Sequence, residues 1–401
     1  MTDDAAPRPL TIADARAQFP GAERWVYANV ASKGIISKAS RVAIDEVADA
    51  QMTGEEIKDE YGPALKRVRT SFARLIGAKP HEIAVTKNVS EGLNAIGSAI
   101  DWKAGDNVVI CTELEHPNNV YLWMNLAERG VEVRGVKSKD GMIDAATIAA
   151  AVDERTRIVS VSTVTFTPGY RTDVAAIAKA ARKVGALMLV DAVQSAGVLT
   201  IDVEALGIDA LATSTSKGLL GVMGLGMLYV SDRWIERLKP VWVARFSVVT
   251  GKHESDLGDG VLRLQPDARR FEIGNYNWAA ISGIVASLDQ LRALGAPTIE
   301  AQAVGMAARL ADGLEQLGLP VCRPADPRHA SHIVTVGQLG AGGAYSSADP
   351  RLNRVAAALE QDGVRFSIRR GQLRFGFHAY NDQGDVERIL DTGRRALAGG
   401  R

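Results

Sequence analysis

The chain has 401 residues, its 47 basic residues balance its 47 acidic ones, and 46% of its residues are hydrophobic. This length is enough for two domains that share an interface, or for one large α/β unit. The balanced charge argues against nucleic-acid and lipid-surface partners, which need clustered basic residues. No apolar run is long enough to cross a bilayer, and the acidic start has no secretory apolar region. We therefore expect a soluble, cytoplasmic protein that binds neither nucleic acid nor membrane.

The two cysteines, Cys111 and Cys322, lie far apart in the sequence, each in or beside an apolar stretch. Such residues are typical of core thiols in a protein from a reducing compartment. No Cys and His spacing fits a zinc site. We expect two unpaired thiols and no bound metal.

Hydrophobic spacing predicts alternating strands and helices along most of the chain. The predicted helices cover residues 11–19, 40–51, 61–76, 93–100, 145–152, 174–184, 279–294, 299–317, 351–361 and 383–397. The predicted strands cover residues 83–86, 107–111, 131–136, 158–161, 186–190, 210–214, 227–230, 332–336, 364–368 and 373–376. Alternation of this kind indicates an α/β fold with a mainly parallel sheet and helices on both faces.

The pattern changes near residue 299, after which strands and helices no longer alternate regularly. We predict a large domain over residues 25–285 and a smaller C-terminal α+β domain over residues 286–401, with residues 1–24 packing against the smaller one. The polar, Gly-containing stretch 250–260 predicts a long loop, of a kind that gates a site or crosses a subunit boundary.

The stretch Ser214-Thr215-Ser216-Lys217 is followed by several glycines, and a lysine in such a place is usually a solvated turn residue. Upstream, however, an apolar run ends in Asp191, and the end of a buried parallel strand is where open α/β sheets bind ligands. Only strand 210–214 separates the acid from the lysine. Together they suit pyridoxal 5′-phosphate (PLP), which needs a lysine amine for its Schiff base and an anion beside its ring nitrogen.

A second candidate site follows strand 83–86, where a short polar turn leads into a helix. Free N–H groups at a helix start, together with the helix dipole, favour a bound anion. The turn ends in Ser90, Glu91 and Gly92, and we assign it to a phosphate with Ser90 and the Gly92 backbone as donors. The alternative is a plain helix cap by Ser90.

These motifs, above all V-D-A-V-Q-S-A-G at 190–197 and the lysine stretch after it, resemble the class V aminotransferase family of fold-type I PLP enzymes. That family includes cysteine desulfurases, isopenicillin N epimerase, kynureninase and several lyases. The resemblance spans roughly residues 27–389. It implies a large domain with a seven-stranded, mainly parallel sheet between helices, followed by a smaller C-terminal α+β domain.

The resemblance also implies roles for individual residues. Lys217 would carry PLP, His116 would stack on its ring, and Arg374 in R-F-G-F-H-A-Y-N would hold the substrate carboxylate. Asn275 in R-F-E-I-G-N would reach the phosphate in a partner subunit, so we expect a homodimer with active sites at the interface. The remaining implied contacts with cofactor or substrate are Thr163, Asp191, Val193, Gln194, Ser214, Ser216, Asn29 and Ser32.

The chemistry implied by the resemblance is exchange of the Lys217 Schiff base for the amine of an α-amino acid, giving an external aldimine. The freed lysine then removes the α-proton. These steps serve transamination, racemisation and β-elimination alike. We favour an aminotransferase or epimerase-like enzyme, with a C–S or other β-lyase as the alternative. A PLP-binding protein without turnover is a third hypothesis, but it would lack Lys217, Arg374 or His116.

Two features argue against a cysteine desulfurase. The stretch 359–373, which precedes the carboxylate arginine, contains no cysteine to act as the persulfide nucleophile. Ser216 also stands where desulfurases and epimerases have a histidine. The loop ending in Phe166, Gly169 and Arg171 is more similar to the epimerase and kynureninase branch, so we predict closer kinship with the epimerase type.

Overall fold

A seven-stranded sheet forms the centre of the protein, which is described here from a computed structural model covering residues 8–55, 58–249, 257 and 259–399. The first strand, β1, lies outside this sheet at Val26–Tyr27. The central strands are β2 Ile83–Thr86, β3 Asn107–Ile110, β4 Glu132–Gly135, β5 Thr156–Ser162, β6 Leu187–Asp191, β7 Ala210–Ser214 and β8 Gly226–Val230. Their order is β2-β8-β7-β6-β5-β3-β4.

All neighbouring strands in this sheet run parallel except at β8, which is antiparallel to both β2 and β7. Helices lie in the connections from β3 to β4, from β4 to β5 and from β5 to β6, whereas residues 192–209 link the parallel strands β6 and β7 without a helix. The connection from β7 to β8 has no helix and is short, so the chain turns back on itself there. This confirms the predicted α/β class and mainly parallel sheet.

The α-helices are α1 Ile12–Arg16, α2 Pro20–Arg24, α3 Lys38–Thr53, α4 Lys58–Ile76, α5 Val89–Ser98, α6 Tyr121–Met124, α7 Ala145–Ala151, α8 Val174–Lys183, α9 Asp232–Ile235, α10 Trp278–Leu294, α11 Ala296–Gln316, α12 Pro350–Gln361 and α13 Gln383–Ala398. Both faces of the sheet are covered. Met188 and Val190 of β6 enter one core with α8 and α10, whereas Leu187 and Leu189 enter another with α5. This alternation follows from the two-residue period of a strand.

A second, four-stranded sheet lies in the C-terminal part of the chain. Its strands are β9 Val321–Cys322, β10 Ile333–Val336, β12 Ser367–Arg369 and β13 Gln372–Gly376, in the order β12-β13-β10-β9. The predicted strand 364–368 is split, because β11 Val364–Arg365 pairs with β1 instead. The break is caused by pairing with β1, which is distant in sequence. Local sequence alone therefore does not predict it.

The N-terminal segment contacts the end of the chain. Arg16 forms an ion pair with Asp385 at 2.9 Å, and the ring of Phe19 lies 5.2 Å from that of Tyr380. These contacts join the described residues 8–24 to the C-terminal helix and its approach; the division into three domains, with its two boundaries, remains a prediction. No helix in the described ranges is long and apolar enough to cross a membrane. The predicted loop 250–260 lies mostly outside the described residues.

Candidate active site

A cavity of about 570 Å³ opens at the carboxyl edge of the central sheet. This is the edge at which open α/β sheets bind their ligands. Most of the side chains predicted for catalysis and binding line it together, namely Ser32, His116, Asp191, Val193, Gln194, Ser214, Ser216, Lys217 and Arg374. Residues from both sheets therefore form its wall.

The sheet register brings Asp191 and Lys217 to the same edge. Asp191, the last residue of β6, lies opposite Ala212 of β7, and Lys217 begins the loop that follows β7. Gly34 packs closely against the backbone of this loop. The Gly34 N–H donates to the Ser216 carbonyl at 2.8 Å, and a Cβ at Gly34 would lie 2.3 Å from the Lys217 carbonyl oxygen. Only glycine permits this approach.

His378 supports the same loop from the C-terminal part of the chain. Its buried ring lies with Nε2 at 2.9 Å from the Gly218 carbonyl oxygen. The Ala379 N–H donates to the other ring nitrogen, so His378 acts as a donor toward Gly218. His378 therefore has a structural role, which is to hold the backbone of this loop in place.

The Lys217 amine has no hydrogen bond or ion pair with any side chain in the described part of the protein. Burial, followed by the positive charge of Arg374, lowers its pKa to about 8, although Asp191 opposes this shift. About half of the amine is therefore uncharged near pH 8, a far larger fraction than for an ordinary lysine. A neutral amine is the form that attacks a carbonyl and accepts a proton.

Asp191 is buried, and its Oδ1 accepts a hydrogen bond of 2.9 Å from the Val193 N–H. Burial raises the pKa of its carboxyl group, while the Val193 N–H and the charge of Lys217 act in the opposite direction. A positive charge beside this buried carboxyl group would stabilise its ionised form. Asp191 is therefore suited to bind a cationic group of a ligand. Asp191 is also the one carboxylate among the described residues that line the cavity.

Helix α5 begins four residues earlier than predicted, at Val89, because the Asn88 side chain caps it. The Val89 N–H donates to Ser214 Oγ, and the Glu91 N–H donates to Asn88 Oδ1. The Gly92 N–H donates to the Asn88 carbonyl. Among the described residues this leaves the Ser90 N–H as the free donor at the helix start. The Ser90 N–H is thus available to an anion, whereas the Gly92 N–H is engaged within the helix, so the phosphate site at this turn stays a prediction.

Gly92 has a different structural role, which is to let α5 approach the sheet. A Cβ at this position would lie 2.9 Å from the Cβ of Ala212 in β7. Glu91 accepts a hydrogen bond from the Lys87 N–H at 2.8 Å and so closes the turn before the helix. Both residues shape the helix start and do not line the cavity.

His116 and Gln194 lie on the cavity wall with capacity to bind a ligand. His116 Nδ1 accepts from the Asn118 N–H, and burial, with the charges of Lys217 and Arg374, lowers the pKa of its ring to about 4. The ring is therefore neutral at physiological pH. The Gln194 amide donates to the Ala31 carbonyl at 3.0 Å, but its Oε1 is buried without a partner in the described structure.

Arg374 is a buried guanidinium without a carboxylate partner in the described ranges. Its Nη1 donates to the Phe166 carbonyl at 2.7 Å, and its Nε donates to Ser367 Oγ at 3.1 Å. Burial and the charge of Arg369 lower its pKa. A buried cation that lacks its counter-ion is expensive to maintain, so an anionic ligand would bind it strongly.

Three other predicted residues lie away from the cavity wall. The Thr163 hydroxyl pairs with Ser195 Oγ at 2.5 Å behind Asp191, and the half-buried Asn29 has a buried Oδ1 with no partner among the described residues. Asn275 is exposed at the surface. Arg171, at the end of the loop that resembles the epimerase branch, forms an ion pair of 2.5 Å with Glu300.

Sequence reasoning missed several lining residues, including Phe166, Tyr345, Arg369 and Arg370. The two arginines lie just before the motif that begins at Arg374, so their charge was a usable signal. The cysteines contribute nothing to the lining. Cys111 is buried, and the Cys322 thiol contacts the Gly337 carbonyl oxygen at 3.2 Å.

Comparison with known proteins agrees with this geometry. The profile of the family described as aminotransferase class-V matches residues 33–389. A probable cysteine desulfurase of Methanothermobacter thermautotrophicus is 32% identical over 82% of this chain and 82% of its own length. An uncharacterized aminotransferase of Schizosaccharomyces pombe is 30% identical over 88% of this chain and 87% of its own length.

Solved structures show the same fold. The apo structure of a cysteine desulfurase from Thermococcus onnurineus superimposes with a TM-score of 0.84 at 24% identity, covering 98% of this chain and 100% of that one. A C-DES variant with glycine covalently linked to its PLP cofactor has a TM-score of 0.82 at 22% identity, with coverage of 94% and 98%. These relatives do not confirm the predicted kinship with epimerases. They and the family profile show that the chain belongs to the class V aminotransferase family of PLP-dependent enzymes.

Proposed function

We propose that this enzyme removes the α-proton of an α-amino acid, in an aminotransferase or epimerase-like reaction. One observation carries the proposal. The unpaired, low-pKa amine of Lys217 shares a cavity with the buried carboxylate of Asp191 and the buried, unpaired guanidinium of Arg374. This combination supplies a base, an anion for a ring nitrogen and a carboxylate clamp.

The residues present fit the cofactor. Bound PLP supplies an electron sink that stabilises negative charge at the substrate α-carbon. Lys217 would hold its aldehyde carbon, Asp191 would face its ring nitrogen and the neutral His116 would cover its ring. The Gln194 amide oxygen has no partner among the described residues and would be free to accept a hydrogen bond from the cofactor. The Ser90 N–H, with Ser214 and Ser216 beside it, would bind the phosphate at the start of α5.

Two groups of the chain then carry out the proposed reaction. Arg374 binds the substrate carboxylate with two parallel hydrogen bonds and fixes the orientation of the Cα–H bond. The Lys217 amine, once free, accepts the proton from Cα at its Nζ. Its pKa of about 8 suits this task, because a base works best when its pKa lies near the working pH.

We also propose a homodimer. Asn275, expected to reach a partner's phosphate, is exposed, and exposed large apolar residues lie nearby in sequence at Trp242, Val243, Val261 and Leu262. Large exposed apolar side chains are typical of a surface that a partner covers. Sedimentation velocity should give a particle of about twice the chain mass of 42.7 kDa, whereas a monomer at micromolar concentration would contradict the proposal.

A C–S or other β-lyase is the second candidate, because relatives of this chain bear the name cysteine desulfurase. The proposed cavity supports an elimination as well as a transamination, since both begin with loss of the α-proton. Persulfide formation on a protein thiol is disfavoured, because neither cysteine lines the cavity.

A panel of amino acids distinguishes the candidates. The purified enzyme should be yellow, and keto acid should form only when a keto-acid acceptor is present if the enzyme is an aminotransferase. Keto acid and ammonia released without an acceptor would favour the lyase. Inversion of the α-carbon without release of keto acid would favour the epimerase. A yellow protein that yields none of these products with any amino acid would support the non-catalytic alternative.

A further inference from the structure

Arg369 and Arg370 bring two further cations to the cavity beside Arg374. They stand at the tip of the hairpin between β12 and β13, where Arg369 is paired with Gln372 and only Arg370 and Gly371 form the turn. Both turn residues have positive φ, 50° for Arg370 and 87° for Gly371. Two-residue turns of this kind favour Asn-Gly, so an arginine at the first position is unusual.

Neither arginine has a carboxylate partner among the described residues. Arg369 donates to the Ile368 carbonyl at 2.7 Å and to Ser32 Oγ at 3.3 Å. Arg370 donates to the Glu113 carbonyl at 2.6 Å. The lining therefore holds three arginines and a lysine against the single carboxylate of Asp191. The net positive charge of these side chains is larger than one substrate carboxylate would neutralise.

The cofactor phosphate does not account for these two charges. The phosphate corner lies at α5, whose first N–H donates to Ser214 at the end of β7. Arg370 instead contacts Glu113, which follows β3, and the sheet order separates β7 from β3 by β6 and β5. Three strand spacings amount to roughly 14 Å, so the hairpin tip and the phosphate corner face different parts of a ligand.

The hairpin geometry relates Arg369 to Arg374. Arg374 lies directly opposite Ser367, and Arg369 is two residues further along the Ser367 strand, on the same face of the hairpin. Such diagonal positions are roughly 7–8 Å apart at the backbone. Two guanidinium groups at this separation suit the two acidic groups of a short substrate.

We infer that Arg369 and Arg370 bind a second anionic group, at the side-chain end of the substrate. The substrate class is then a short α-amino acid with an acidic side chain, such as a carboxylate or a sulfinate. This inference rests on the proposed function, because it uses Arg374 for the α-carboxylate. It adds the selectivity that the shared catalytic residues do not provide.

The test uses two acids of equal chain length that lack an amine and cannot react, succinate and butyrate. Calorimetric titration of the holoenzyme should show succinate binding at least about tenfold more tightly, as expected for a charge-assisted hydrogen bond. The double variant Arg369→Gln/Arg370→Gln should bind the two acids about equally. The matched variant Arg351→Gln/Arg394→Gln removes two exposed arginines elsewhere and should keep the succinate preference.

Equal binding of succinate and butyrate by the unchanged enzyme would overturn the inference, as would a preference that survives in the Arg369→Gln/Arg370→Gln variant. Unchanged thermal unfolding of that variant shows that it is folded. Borohydride reduction separates this result from the underlying proposal. A cofactor trapped on Lys217 without any succinate preference rejects only the acidic substrate, whereas a failure to trap it there rejects the proposed function itself.

Discussion

The loop after β7 and the hairpin between β12 and β13 both bring cations to the cavity, but they are supported differently. Gly34 and His378 both donate hydrogen bonds to backbone carbonyl groups of the Lys217 loop. These bonds fix the position of the loop. Arg369 and Arg370 extend from a hairpin tip, and their described hydrogen bonds go to carbonyl oxygens and one hydroxyl. The comparison suggests that the loop supplies the chemistry common to the family, while the hairpin supplies selectivity.

Replacing the base at the centre of the loop should have the largest effect. In Lys217→Ala, turnover of any accepted amino acid should fall by about 10²–10⁴-fold, since general-base catalysis is lost. The exposed Lys183 provides the matched control, and Lys183→Ala should keep its rate. Steady-state kinetics measure both. A Lys217→Ala variant with normal turnover would show that the loop does not supply the base.

The second prediction concerns Arg374, which lines the same cavity as the Lys217 loop and the hairpin tip. Arg374→Ala should raise KM for α-amino acids by roughly 10–100-fold, as expected for loss of charge-assisted hydrogen bonds. Amines without a carboxylate should show almost no change, because they do not use the guanidinium. Equal effects on amino acids and simple amines would rule out the carboxylate role.

The pH dependence of cofactor loading tests the electrostatic link between the regions. The pKa of Lys217 is lowered to about 8, so its neutral amine falls about tenfold for each pH unit below that value. The rate at which apoenzyme takes up PLP, followed by absorbance, should fall accordingly. Arg374→Gln removes a positive charge that lowers the Lys217 pKa, so the midpoint should move to higher pH. A midpoint that stays in place would contradict this coupling.

The packing beneath the phosphate corner gives a stability prediction. Gly92→Ala would place a Cβ 2.9 Å from Ala212 and should destabilise the protein by about 1–3 kcal/mol. Gly305 also lies within a helix, but nothing lies within 4 Å of a Cβ there. Gly305→Ala should therefore stabilise the protein by about 0.5–1 kcal/mol through helix propensity. Thermal or urea unfolding measures both, and equal effects would remove the packing argument.

The smallest effect should appear at the hairpin turn. Arg370→Asn fits the positive φ of 50° better than arginine, so it should raise stability by up to about 1 kcal/mol. The same variant should weaken succinate binding, which separates the two properties. A loss of stability together with unchanged succinate binding would show that Arg370 is a structural residue.

Most helices and strands could be predicted from local sequence, because the hydrophobic positions of the sequence pattern are the positions that are buried in the fold. The strands at 83–86 and 210–214 occur as predicted. One error arises from an unrecognised helix cap, and another from a strand that pairs with a distant part of the chain. Asn88 caps α5 and Gly92 lies inside the helix, although a glycine by itself indicates a turn. Strand 364–368 breaks because β1 pairs with its first part.

The candidate site follows the same division. Lys217, Asp191, His116 and Arg374 lie in recognisable motifs, and the structure brings all four to one cavity. Thr163 also lies in a motif, but its hydroxyl turns toward Ser195, which sequence cannot show. The lining positions of Arg369 and Arg370 depend on the hairpin register and on contacts with residues more than two hundred positions away, so only their charge was visible in sequence.

The most direct test of the account is to reduce the yellow holoenzyme with borohydride and map the modified peptide by mass spectrometry. The account predicts a single reduced PLP adduct on Lys217, which is absent from Lys217→Ala. An adduct on another lysine, or one that persists in Lys217→Ala, would contradict it.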